Sequence, residues 1–194
     1  MNANESAFYQ RLGIQIDERL LYSADNNLIH QHLISKLKSI SDDLERQAKN
    51  YKPLSEDGLS GIFVTALNQS SLFQAQNEAF SNGHVDISIT CLSFKQKHEF
   101  TCLGEAKIWN GQKYALQGIE QIDRYLTGRH DKGFMLYYFK TKNCDLLFDG
   151  YLDRIAKDGI ADVFSRNTRH AITKHIHSSG RSIFLDHLAV NLHF

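Results

Sequence analysis

Asp86 stands in the run "NGHVDISIT", and Glu105 and Lys107 stand in "LGEAKIW", with eighteen residues between the aspartate and the glutamate. Charged side chains within apolar runs are costly to bury unless they are paired, hydrogen-bonded or bound to a metal. Strand alternation puts Glu105 and Lys107 on one face, with Gly104, Ala106 and Ile108 on the other. If the strands carrying Asp86 and Glu105 pair through the polar turn "KQKH", two carboxylates and a lysine converge at one edge of a sheet. Neighbouring carboxylates repel and raise each other's pKa unless a cation lies between them. Hard divalent cations such as Mg²⁺ prefer oxygen ligands, commonly one or two carboxylates with water and substrate phosphate. This set of side chains suits phosphodiester hydrolysis, in which a metal polarises the phosphate and activates a water. The fixed lysine charge would then hold the nucleophile or the developing charge.

The elements that must position these residues are legible from the patterning. Residues 25–50 read as an amphipathic helix, with Ile29, Leu33, Leu37, Ile40 and Leu44 at the helical period. It packs on the domain's own core or, on a sharper reading, forms a dimer. Pro53 ends it, and Ser55 is the N-cap expected for "SEDGLSGIFVTALNQ", with Glu56 and Asp57 in the first turn. Three strands follow: "SLFQAQNEAF", closed by an Asn82-Gly83 turn, then "HVDISITCLSF" and "EFTCLGEAKIW". A helix over "QKYALQGIEQIDRYLTG" precedes the apolar strand "GFMLYYF", which belongs at the centre of a sheet covered on both faces. A further helix over about 145–164 and two strands, "RHAITKHIH" and "RSIFLDHLAVNLHF", complete the chain. From residue 55 the order is α-β-β-β-α-β with later additions, a mixed-sheet α/β architecture.

"G-H-V-D-I" with Asp86, "G-E-A-K-I-W" with Glu105 and Lys107, and a helix bearing "Q-I-D-R-Y" with Gln121 together resemble the PD-(D/E)xK superfamily of restriction-endonuclease-like nucleases. The resemblance covers roughly residues 55–140. It implies an αβββαβ core with a mixed sheet flanked by helices. Residues 1–54 would be an N-terminal helical extension and residues 141–194 a C-terminal helix and strands, all within a single domain, 1–194. Val85 stands where the superfamily has proline before the aspartate. By resemblance Asp86, Glu105 and the backbone carbonyl of Ala106 bind Mg²⁺, with Mn²⁺ as a substitute, and Lys107 serves the attacking water. Glu56, or less strongly Asp57, matches the acidic residue on the first core helix, although an acidic first turn also simply complements the helix dipole. Gln121 matches the helix residue near the site or else bonds a neighbouring strand, and Gln117 lies one turn earlier.

The resemblance implies endonucleolytic hydrolysis of DNA, with RNA left open, giving a 5′-phosphate and a 3′-hydroxyl. Lys113, Gln117 and Arg124 are candidate nucleic-acid contacts. Other basic residues for a groove are Lys95, Lys97, Arg129, Lys132, Arg169, Lys174 and Arg181. The alternative is a catalytically silent nucleic-acid-binding or partner-recruiting module on the same fold. Trp109 either stacks on a base or forms a hydrophobic lid, the second being the simpler.

The 194 residues carry 22 basic and 22 acidic side chains, so no overall electrostatic footprint for nucleic acid exists and any basic groove is local. Cys91, Cys102 and Cys144 are odd in number and widely spaced, which fits reduced thiols in a cytoplasmic setting. His170, His175 and His177 crowd one segment without zinc-site spacing; they are either a metal cluster or, on the favoured reading, strand-end histidines facing water or phosphate. No apolar run reaches the roughly 18 residues of a membrane span. By fold-level analogy such an enzyme belongs in defence against foreign DNA, and a homodimer with the 25–50 helix as its interface would address both strands.

Overall fold

The computed structural model describes residues 25–70, 72–80, 84–91, 100–126 and 130–194. The Asn82-Gly83 and KQKH turns, Lys95, Lys97 and Arg129 lie outside the described residues.

Helix α1 (Asn26–Arg46) starts at Asp25, whose side chain accepts from the Asn27 N–H at 2.9 Å. Its buried stripe contains Ile29, Leu33, Leu37, Ile40 and Leu44, the periodic positions of the sequence. The helix does not run unbroken to residue 50: Gln47 leaves helical geometry, and the short α2 (Ala48–Tyr51) follows. The apolar face of α1 is buried in the domain's own core, so it is not free to form the expected dimer interface. Helix α3 (Glu56–Asn68) is capped by Ser55, whose hydroxyl accepts from the Gly58 N–H at 3.1 Å. That cap orients Glu56 and Asp57 in the first turn.

Strands β1 (Phe73–Phe80), β2 (His84–Cys91) and β3 (Phe100–Ile108) follow. Then come α4 (Gln112–Tyr125), β4 (Lys132–Phe139), α5 (Cys144–Lys157), β5 (Asp162–Asn167), β6 (His170–Ile176) and β7 (Ser182–Asn191). They form one mixed seven-stranded sheet in the order β1-β2-β3-β4-β7-β6-β5. β3–β4 and β4–β7 are parallel; the other neighbours are antiparallel. The class is α/β.

The expected helix over 145–164 is corrected. α5 ends at Lys157, Gly159 adopts φ +65°, and the rest of that stretch supplies the edge strand β5. The Ile160 N–H bonds the Ile155 carbonyl at 3.0 Å and the Gly159 N–H bonds the Ala156 carbonyl at 3.2 Å, a Schellman stop that a left-handed glycine makes cheap.

β4 sits at the centre. Phe134, Leu136 and Tyr138 point into the core under α1 and α3, whereas Met135, Tyr137 and Phe139 point into the core under α4 and α5. A strand buried on both faces cannot alternate with polar residues, which is why "GFMLYYF" is apolar throughout. Among the described residues all three cysteines are buried free thiols, and no helix is long and apolar enough to cross a membrane.

Candidate active site

β2 pairs with β3 only as far as Ile87↔Gly104; beyond that point β2 continues with β1 and leaves β3. The Ala106 and Ile108 N–H groups on the vacated edge of β3 would lack partners, and buried N–H groups are rarely left so. Side-chain carboxylates take them instead. Ala106 N–H donates to Asp86 Oδ2 at 2.9 Å, and Ile108 N–H donates to Glu56 Oε2 at 2.7 Å. Because a strand residue's N–H and C=O leave on the same edge, the Ala106 carbonyl faces this fork as well.

Lys107 lies at the centre of the cluster. Its Nζ is 2.7 Å from Glu105 Oε1, 3.4 Å from Asp86 Oδ2 and 3.5 Å from Glu56 Oε1. Glu105 and Lys107 are buried, while the side chains of Glu56 and Asp86 are about a quarter to a third exposed (26% and 30%). The cluster therefore opens toward solvent on the side of Asp86 and Glu56.

Burial raises the Glu105 carboxyl to about 7, and the Asp86 charge adds to that; Lys107 opposes it. Burial alone would lower the Lys107 ammonium, but the hydrogen bond to Glu105 and the charges of Glu105, Asp86 and Glu56 outweigh it and hold its pKa above the usual lysine range. Lys107 is thus a cation here, not a base.

The donor set fits a hard divalent cation on two observations. Fully ionised, three carboxylates against one ammonium leave a surplus of two negative charges, and burial, with the Asp86 charge added, raises the Glu105 carboxyl to about 7. Glu105 Oε2 is moreover buried with no hydrogen-bond partner among the described residues. Asp86, Glu105 and the Ala106 carbonyl are oxygen donors of the kind Mg²⁺ takes. Among the described residues, no three His, Cys, Asp or Glu side chains are preassembled as a metal-holding group.

Helix α4 closes over the buried side. A Cβ built on Gly118 would lie 3.4 Å from Lys107 Cγ and 3.8 Å from Glu105 Cγ, so the bare helix backbone rests on both side chains. Gln121 is half-buried one turn further on the same helix, and among the described residues it makes no hydrogen bond to the cluster. Gln117, Lys113 and Arg124 are exposed on α4, with Arg124 Nε donating to the Glu120 carbonyl. Trp109 packs rather than projecting: its ring stacks on Phe139 at 4.6 Å and meets Tyr137 and Tyr151 edge-on.

Three of the basic residues named for a groove have partners of their own. Arg169 is tied to Asp145 and Glu45, Lys132 to Asn27 Oδ1 at 2.5 Å, and Arg181 donates to the Leu126 carbonyl at 3.1 Å. The histidines are corrected: His170 and His175 are buried, not exposed at strand ends. His170 and His30 each donate Nε2–H to Asp186 at 2.7 Å, and His175 bonds Thr173 Oγ1, which also bonds His187. His187 in turn bonds Tyr151, and Tyr151 bonds Tyr137 at 2.5 Å, a polar chain through the core that the sequence reading did not contain. Its signal was present in "IFLDHLAV", where Asp186 and His187 interrupt an apolar run just as Glu105 and Lys107 do.

Comparison with family models, with curated proteins and with solved structures finds no match to this chain.

Proposed function

We propose that this chain is a Mg²⁺-dependent nuclease of the PD-(D/E)xK type that hydrolyses phosphodiester bonds of DNA. The observation that carries the reading is the fork of β2 and β3, where Glu56, Asp86 and Glu105 converge on Lys107 while Glu105 Oε2 has no partner among the described residues. The order α3-β1-β2-β3-α4-β4 supports a restriction-endonuclease-like core over residues 55–140.

Asp86, Glu105 and the Ala106 carbonyl would hold the cation, with Glu56 beside them. When bound, Mg²⁺ supplies Lewis acidity at the phosphate and lowers the pKa of an attacking water. The water oxygen would bond phosphorus as the P–O3′ bond breaks; the water would pass its proton to solvent and O3′ would take one from solvent, so the products are a 3′-hydroxyl and a 5′-phosphate. Lys107, held protonated, donates hydrogen bonds to the water oxygen and to the charge that builds on the phosphoryl group. It is not the acceptor of the water's proton. Burial beneath Gly118 fixes its position without a large entropic cost at the moment of reaction. Gln121 belongs to the same wall, and Lys113, Gln117 and Arg124 lie on the exposed face of α4, where they can meet the substrate backbone.

A cytoplasmic defence enzyme acting as a homodimer remains part of this proposal, with an interface other than the apolar face of α1. The second reading, a binding module without turnover, is favoured by one observation: the Lys107 ammonium already neutralises part of the carboxylate cluster. Incubation of circular and linear DNA with the protein in Mg²⁺, Mn²⁺ or EDTA, beside Glu105→Gln, separates the two. Metal-dependent cleavage lost in the variant is the expected result. Retention of DNA without cleavage in either metal would decide for the binding module.

A further inference from the structure

A second site lies on the other face of the sheet. Phe134 is paired with both Gly104 and Asp186, and Asp186 with Ile172, so Asp186 and Ile172 share the face of Gly104 and look away from Glu105. There, between α1 and strands β5–β7, is a cavity of about 620 Å³. Small-molecule sites commonly run about 300–1,000 Å³, with mostly apolar walls and a few convergent polar groups.

Its apolar part, with Ile34 and Ile172, includes two aromatic rings. Phe164 stands at the mouth 72% exposed, with its ring edge-on to Phe184 at 6.0 Å. An aromatic ring left in water beside a cavity is a surface on which a planar ligand can stack.

The polar part is fixed. The Asp186 carboxylate, 4% exposed, accepts from Nε2 of His30 on one oxygen and of His170 on the other, each at 2.7 Å. That arrangement sets the orientation of both rings. It leaves Nδ1 of His170 buried without a partner among the described residues, whereas Nδ1 of His30 faces Cys102 Sγ at 3.8 Å.

The length of the wall and its exposed cation set the ligand's size. Lys38, exposed on α1, carries no partner among the described residues, whereas Lys132 at the other end is engaged by Asn27. From Asn27 to Lys38 the helix wall runs about 16 Å at 1.5 Å per residue, room for a base with a sugar-phosphate arm. Beyond Lys38 a neighbouring cavity is lined by Asp42, by Glu45 and by Arg169, which pairs with Glu45, and Asp131 lies beside Lys132 at the opposite end. Lys38 is thus the exposed, unpartnered cation of the wall among the described residues, and a wall of this length with that cation suits one phosphate.

We propose that this cavity binds a mononucleotide, with its base against Phe164 and Phe184 and its phosphate at Lys38. The site is independent of the carboxylate cluster and needs no divalent metal. The test is calorimetric titration of the full chain, in EDTA, with each of the four ribonucleoside monophosphates and with ribose 5-phosphate. Phe164→Ala and Lys38→Ala are titrated alongside; both residues are exposed, and circular dichroism verifies their folding. Saturable binding of at least one mononucleotide with Kd below about 1 mM is expected. Each variant should weaken it about tenfold, and ribose 5-phosphate should not compete. Absence of saturable binding for all four, affinity unchanged in either variant, or equal binding of ribose 5-phosphate would overturn the proposal. Tighter binding of a single-stranded oligonucleotide than of its mononucleotides would reassign the groove to polymer and overturn it as well. Because no cleavage is read, failure here leaves the nuclease proposal standing, and the reverse also holds.

Discussion

The Ala106 N–H donates to Asp86 Oδ2 at 2.9 Å across twenty positions of sequence, at the point where β2 parts from β3. The bond does two things. It replaces a missing ladder partner for β3, and it holds the Asp86 carboxylate beside Glu105 and Lys107.

Those two roles separate by substitution. Asp86→Asn keeps an oxygen acceptor for the Ala106 N–H and should fold within about 0.5 kcal/mol of the parent while losing metal-dependent cleavage. Asp86→Ala leaves that N–H unpartnered and should cost about 1–2 kcal/mol more. Urea denaturation measures the difference; equal stability of the two variants would mean that the bond does not hold the fork.

Glu105 makes the metal-free protein sensitive to pH. Burial raises its folded pKa to about 7 from the usual 4.5, so between those values the folded state binds more protons than the unfolded state. Its contribution is fully present below about pH 4.5 and is lost as pH rises through 7, by about 3 kcal/mol at most. Subtracting the Glu105→Gln stability curve from that of the parent should isolate this falling slope. In the parent, Mg²⁺ binding near pH 6.5 should release a proton, which calorimetry in buffers of different ionisation enthalpy detects. A proton count near zero would remove Glu105 from the cation site.

His175 and His187 work in the opposite direction. Burial holds them at about 4 and about 3, with the charge of His175 also lowering His187, against an ordinary 6.5. The unfolded chain therefore binds their protons first. Their stabilisation is present above about pH 6.5 and is lost as pH falls toward 4 and then 3, with His175 alone amounting to roughly 3 kcal/mol. In His175→Gln the slope of unfolding free energy between pH 4 and 6.5 should flatten, whatever the variant's absolute stability. An unchanged slope would count against the buried neutral imidazole.

Two glycines should differ in tolerance. A Cβ on Gly104 would fall 2.1 Å from Phe134 Cζ, inside a ring that is fully buried, so Gly104→Ala should destabilise by about 2 kcal/mol or more. On Gly118 the nearest obstacle, at 2.7 Å, is the terminal methyl of Met135, which can rotate away. Gly118→Ala should therefore fold at smaller cost. Parallel denaturant melts check the order, and the reverse ranking would contradict the packing described.

Much of the architecture follows from short-range patterns in the sequence alone. The stripe of α1, the Ser55 cap and the apolar run of β4 each encode an element locally, because helical and strand periods repeat within a few residues. Gly159 was equally legible as a helix stop; the apolar pattern around it obscured β5. Asp86, Glu105 and Lys107 announced themselves as charges within apolar runs.

Only the tertiary structure decided what surrounds those charges. Glu56 reaches Ile108 across 52 positions, and His30 reaches Asp186 across 156. Asp186 interrupts its strand as conspicuously as Glu105 does, yet nothing local tells a carboxylate that will sit among lysine and carboxylates from one that will hold two imidazoles. The partners depend on β7 entering between β4 and β6, and on β2 leaving β3 after Gly104. Strand order and register are set by packing between distant segments, and a one-residue slip would exchange the two faces and every partner on them.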